Sequence, residues 1–268
     1  VQGLDGKEAE KIIAARAAAP FGSIHDVWRR SGVKPATLER LARADAFQCF
    51  GRNRREALWE IKALGQVPLP LLAAADAREG AIRPEAPEAP VALVPLTAGR
   101  EVVEDYRATQ LSLRAHPIRF LRDQLVRRGI APCSDLLTVR DGARIHVAGI
   151  ILVRQKPGSA KSTFITLEDE TGIANAIVWP DRFKTYRREI MSAAMVSIRG
   201  RVQREGLVVH VIADEVTDLT PMLRTVGDLD LPRLLMPGDG ATHGGTIDPR
   251  DRRPDPEDVI PIRSRNFH

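Results

Sequence analysis

The sequence predicts an α+β protein of several domains: an N-terminal helical block, a Pro/Ala-rich linker and a C-terminal five-stranded β-barrel. Three observations carry this reading. Apolar residues recur at helical spacing up to Leu64, prolines then crowd residues 67–95 among alanines, and after Asp141 the apolar period falls to two. The 268 residues, 43% of them hydrophobic, suffice for about two cores. The expected boundaries are 1–66 for the helical block, 67–100 for the linker, 101–140 for a helical connector, 141–220 for the barrel and 221–268 for an irregular tail.

Residues 7–18 form the first helix, carried by Ala9, Ile12 and Ile13, and Pro20 forbids its continuation. Ser23 is a plausible N-cap for a second helix over 24–30, which Gly32 ends. Pro35 sits in the first turn of a third, followed by Leu38, Leu41 and Ala42. Residues 54–64 give a fourth, with Leu58 and Ile61 on one side. Pro68, Pro70, Pro84, Pro87, Pro90 and Pro95 then favour extended chain with few buried contacts. Residues 101–129 return to helix, broken at His116-Pro117 because proline pushes its predecessor out of the α region.

Beyond Asp141, Ile145, Val147, Ile151 and Val153 alternate with His146, Ala148 and Arg154, as in a strand. Further strands cover 163–168, 173–179, 195–203 and 207–213, with a helix over 181–191 between the third and fourth. Five short strands with a helix in that place is the order of an OB-fold barrel. The tail from Pro221 has no periodicity and is expected to be irregular.

The bulk properties exclude several classes. The longest uncharged apolar run, in 67–76, is far shorter than the ~20 residues a bilayer demands. The opening residues lack the basic start and apolar stretch of an export signal, and a first residue other than Met suggests a piece of a longer protein. Cys49 and Cys133 stand far apart with no ligand spacing around them, and the six histidines are scattered, so no metal or cofactor site is expected in this segment. The net charge is +5, and the basic excess lies in residues 1–66, with 12 Lys and Arg against 8 Asp and Glu. Such an excess suits a polyanionic partner.

A helix-hairpin-helix unit presents turn N–H groups and a helix N-terminus to a DNA phosphate. Gly3-Leu4-Asp5-Gly6, with Lys7 next, has that form, although Asp5 stands where a second glycine is usual and would repel phosphate. DNA contact and a merely structural hairpin both stay open for it. Gly32-Val33-Lys34 before Pro35 reads as a second, degenerate copy. Arg52, Arg54 and Arg55 at a helix start could clamp a backbone, against the blander reading of a solvated face. In the barrel, Arg154, Lys156, Lys161, Phe164, Arg199 and Arg201 are the candidates for a single strand, which an OB fold holds with basic groups and stacking aromatics. Trp179 before Pro180 is expected to cover the barrel end. Aromatics are 4% of the chain, so single-strand binding should be weak. The acidic runs Glu168-Asp169-Glu170 and Asp228-Leu229-Asp230 are rejected as metal sites, the first lying in a hairpin turn and the second in a Pro/Gly-rich tail.

In order and spacing, several segments resemble the class C bacterial DNA polymerase alpha subunits. These are Gly3-Leu4 through Arg16, Pro20 to Ile24, Ala44-Asp45-Ala46-Phe47, the Leu111 to Pro117 stretch ending in His-Pro, and Phe164 to Gly172. Tyr106-Arg107-Ala108-Thr109 and the final Ser264-Arg265-Asn266-Phe267-His268 are similar to the error-prone branch. The resemblance implies the C-terminal, DNA-binding part of an error-prone DNA polymerase acting in translesion synthesis in the cytoplasm, with catalytic carboxylates and their Mg²⁺ lying before Val1. It also implies a sliding clamp and a Y-family-like companion as partners besides DNA, with duplex held by the hairpins and single strand by the barrel. For the clamp, Gln110-Leu111-Ser112-Leu113 ranks below the stretch from Gln66 to Leu72. The alternatives are the same segment of a replicative polymerase and a free-standing DNA-binding adaptor.

Overall fold

The computed structural model describes residues 1–64, 93–157, 161–206, 208–229, 260 and 265–267. It divides into two units, Val1–Leu96 and Thr97–His268. Most of the 67–100 linker and the 66–72 stretch lie outside the described residues.

The first unit is built by local capping. α1 (Gly6–Ala18) starts on Asp5, α2 (Ile24–Ser31) on Ser23, whose side chain accepts the Asp26 N–H, and α3 (Pro35–Arg43) has its proline in the first turn. α2 stops at Gly32, which takes the left-handed conformation at φ 63° and donates its N–H to the Trp28 carbonyl. α4 (Arg54–Ala63) opens with a full capping box, Asn53 and Glu56 exchanging hydrogen bonds. α2, α3, α4 and the loops between them pool Ile24, Val27, Val33, Leu38, Ala42, Phe47, Ala57 and Ile61 in one small core, against which Ile12 of α1 packs.

The second unit is centred on a closed barrel. β1 (Arg144–Gln155), β2 (Thr163–Asp169), β3 (Gly172–Val178), β4 (Met195–Glu205) and β5 (Val208–Asp218) pair in the ring β1-β2-β3-β5-β4-β1. All ladders of the ring are antiparallel except β3 with β5. Alternate residues such as Val147, Ile165, Leu167, Ala174, Ala176, Ile198 and Val211 fill the interior. Gly200 stands at a bulge where a Cβ would fall 2.0 Å from the Ile212 carbonyl oxygen, so β4 and β5 approach there only because the side chain is missing. α5 (Ala98–Thr109), a 3-10 turn at Pro117–Leu121 and α6 (Arg122–Arg127) lie in this unit with the barrel. Their Val102, Val103, Ile118, Leu121 and Leu125 form a second apolar layer with Ala148, Ile150 and Met195 of the barrel wall. This is why the middle of β1 is buried on both faces.

The connector helix ends earlier than His116-Pro117 suggested. α5 stops at Gln110, left-handed at φ 67°. The barrel is bounded further by α7 (Pro180–Thr185) and α8 (Arg187–Ser192), which split the single helix expected there at Tyr186. In the tail, α9 (Thr220–Leu223), a 3-10 turn at Arg224–Asp228 and β6 (Arg265–Phe267), parallel to β1, are regular elements of three to five residues. They are too short for periodicity to show.

Candidate nucleic-acid interface

In the hairpin unit, the positions where a phosphate would sit already hold carboxylates. Asp5 accepts the Lys7 N–H at 3.0 Å, at the N-terminus of α1. Glu8, one turn on, reaches the start of α3, taking the Lys34 N–H at 3.1 Å and the Thr37 hydroxyl at 3.3 Å, while Lys11 Nζ holds its other oxygen at 2.6 Å. The bond from Lys11, then the one from Lys34, holds the Glu8 carboxyl below the usual range. The Gly32 N–H is spent on its own helix. So Gly6 opens α1 under its own cap, Gly3 turns at φ 70°, and of the hairpin candidates the exposed side chains of Lys7 and Lys34 are left to meet a phosphate.

The arginine trio also divides. Arg54, only 2% exposed, donates to the Arg43 carbonyl at 2.6 Å, which corrects its reading as a DNA contact: it ties α4 to the end of α3. Arg52 pairs with Glu60 at 3.2 Å, and Arg55 is exposed with one bond to the Val94 carbonyl. Arg30, which the sequence left unassigned, caps the α1 end by donating to the carbonyls of Ala15, Ala19 and Pro20 while lying 4.7 Å over the Phe21 ring.

On the barrel, Arg154 needs a second correction. A register shift between Ile151 and Val153 breaks the alternation of β1 and turns Arg154 inward. It is 8% exposed, and its guanidinium grips the carbonyls of Ile190 and Ala193 at the end of α8. Burial lowers its pKa. Trp179 is 51% exposed rather than covering the barrel end.

The remaining candidates fall on one outer surface. Strand register aligns Phe164, Ile177, Ile212, Arg201 and Arg144 in a continuous row across β2, β3, β5, β4 and β1. Directly paired residues point to the same face of a sheet. The row is apolar at one end, where Phe164 meets the His210 ring edge-on at 6.4 Å, and cationic at the other. Arg144 and Arg201 are exposed and unpaired among the described residues. Arg144 was not foreseen, because only cross-strand register brings it beside Arg201. Arg199 shares this side with His146 and makes an exposed pair with Glu215 at 3.6 Å, worth at most about 1 kcal/mol. His146 is pushed down by burial and then by Arg199. Lys156 and Lys161 are exposed in the loop between β1 and β2.

The acidic run at the β2–β3 turn is a structural hub. The buried Asp169 takes the N–H groups of Cys133, Thr171 and Gly172, the Thr171 hydroxyl and, at 2.7 Å, Arg122. Arg122 also holds Glu170 at 2.5 Å. Burial alone would raise the Asp169 pKa, but the bonds from Thr171 and Cys133 and the charge of Arg122 hold it below normal. No group of three or more His, Cys, Asp or Glu among the described residues is placed to hold a metal ion. No described helix is long and apolar enough to cross a membrane. Leu111 and Leu113 are exposed beyond α5.

Residues 1–57 match the family described as helix-hairpin-helix motif, and residues 145–219 the OB-fold nucleic acid binding domain. The whole chain is similar to error-prone DNA polymerase 1 of Agrobacterium fabrum, at 50% identity over 100% of this chain and 26% of that protein. Error-prone DNA polymerase 2 of Rhizobium meliloti is 46% identical over the same shares. The error-prone DNA polymerase of Allorhizobium ampelinum is 49% identical over 100% of this chain and 25% of its own length. The chain therefore spans about a quarter of these relatives, their C-terminal part.

Proposed function

Because the chain is similar over its whole length to the non-catalytic C-terminal part of proteins named error-prone DNA polymerase, we propose that it is the DNA-handling segment of such a polymerase and holds single-stranded template on the outer face of its barrel. The row Phe164, Ile177, Ile212, Arg201 and Arg144 is the observation that carries this reading. An aromatic offers a stacking platform for a base, and unpaired arginines a few strands away meet the phosphates that follow it. The helical unit contributes less, since Asp5 and Glu8 occupy the helix ends that would take phosphate.

In the longer protein the reading extends to translesion synthesis during damage-induced mutagenesis in the cytoplasm, with a sliding clamp and a Y-family-like companion as partners. The Mg²⁺ ions of such a polymerase do not fit the residues described here, because Asp169 and Glu170 are already bound to Arg122. Their ligands belong to other parts of that protein.

The test is a fluorescence anisotropy titration of the chain with a labelled single-stranded oligonucleotide across a salt series. Phe164→Ala should weaken binding by about 1–3 kcal/mol, the contribution of one stacked base. Arg144→Ala with Arg201→Ala should lower the log–log salt slope by about 0.7 per lost phosphate contact. Wild-type affinity and slope in both variants would remove the barrel face from the account.

A further inference from the structure

We propose that α7 and α8 carry a second phosphate-binding surface, separate from the strand face, whose ligand is the DNA backbone. The inference rests on the DNA-binding reading of this unit. The helix pair turns Phe183, Tyr186 and Ile190 towards the barrel core. Arg182, Lys184, Arg187 and Arg188 are exposed, and none of the four side chains has a hydrogen-bond or ion-pair partner among the described residues. Asp181 and Glu189 are the carboxylates in the same two helices, so four cations stand against two anions.

Elsewhere some helical arginines pair along their own helices, Arg30 with Asp26, Arg43 with Glu39, and Arg100 and Arg107 with Glu104. Others, Arg16, Arg29, Arg40 and Arg127, are exposed without an ion pair among the described residues, but residues 182–188 set four such cations close together. On α7 and α8 the cations are left unmatched and close in sequence, where like charges repel. A bound polyanion relieves that repulsion.

The surface is also fixed in place. Arg154 reaches from β1 to the carbonyls of Ile190 and Ala193, so the buried arginine removed from the DNA-contact candidates is a positioning residue for this helix pair. Trp179, 51% exposed, and Met191, 56% exposed, flank the basic stretch and offer apolar faces beside it. Guanidinium groups match phosphate oxygens in pairs, and an exposed indole accepts a stacked base, so a nucleic-acid backbone is the polyanion this chemistry fits.

The experiment compares the wild-type chain with Arg182→Ala/Lys184→Ala/Arg187→Ala/Arg188→Ala and with a charge-keeping Arg182→Lys/Arg187→Lys/Arg188→Lys variant. The probes are a single strand of about 6 nucleotides, near the lower end of what one OB barrel covers, and one of about 30. Affinity and salt slope are read by anisotropy, and thermal melting checks that all three proteins are folded. The alanine variant should keep its affinity for the short strand. On the long strand it should lose about 0.7 of slope per contact, while the lysine variant keeps the wild-type slope. An unchanged slope on the long strand overturns the proposal and leaves the cluster for an acidic protein partner. An equal loss on both strands overturns it as well, because the helices would then not be a separate surface. Failure of the wild-type chain to bind either strand would instead remove the underlying DNA-binding reading.

Discussion

At the residue scale, Asp169 and Arg154 show how one side chain can set the local architecture. The Asp169 carboxylate joins β2, the turn after it, the 3-10 turn at Cys133–Leu137 and Arg122. Removing its charge leaves Arg122 with Glu170 as its remaining carboxylate and sets an amide among the N–H groups of Cys133, Thr171 and Gly172. Asp169→Asn should cost about 1–3 kcal/mol in denaturant unfolding, the penalty of leaving buried donors without an acceptor. A cost under about 1 kcal/mol would show the hub to be dispensable. The folded pKa of Asp169 lies below its unfolded value, so its contribution is present above the ordinary carboxylate range and fades as pH falls through the folded value. The sequence placed Asp169 in a hairpin turn correctly but gave no sign of Arg122, which is separated from it by 47 positions. It misplaced Arg154 for a related reason: alternation fixes a side chain's face only while register holds, and the bulge at Ile151 to Val153 shifts it.

At the scale of elements, the helix ends were legible and their occupants only in part. Ser23, Gly32 and Pro35 act where capping chemistry places them, because caps depend on neighbours three or four residues away. Asp5 was flagged as a departure from the hairpin pattern, and it caps α1. Glu8 could not be read, since its bond to Lys34 spans 26 residues and exists only once α1 and α3 meet. The account therefore expects the first hairpin to be held back from phosphate by its own carboxylate. Asp5→Gly should tighten duplex binding roughly 2–5-fold, the effect of relieving one unfavourable charge at a helix N-terminus. Unaltered duplex affinity in that variant, measured by anisotropy, would mean that this turn is not a phosphate site even when vacated.

For the molecule as a whole, the strand order and the intervening helical segment were enough to specify the barrel, because each strand announces itself by local alternation. The layer of α5, the Pro117–Leu121 turn and α6 on the barrel wall was not legible: Ala148 and Ile150 look like the solvent-side partners of Val147 and Ile151 until a second layer covers them. The candidate site follows the same division. Phe164 and Arg201 could be named from their strands, whereas the row that joins them to Arg144 exists only through cross-strand register. The central claim is that single-stranded DNA is held by the barrel face and not by the hairpin turns, and hydrogen exchange with and without a saturating oligonucleotide tests it most directly. The account predicts slowed exchange across β2, β3 and the start of β5, with residues 3–7 and 32–37 unchanged. Protection confined to those two turns, with the strands exchanging as in the free protein, would contradict it.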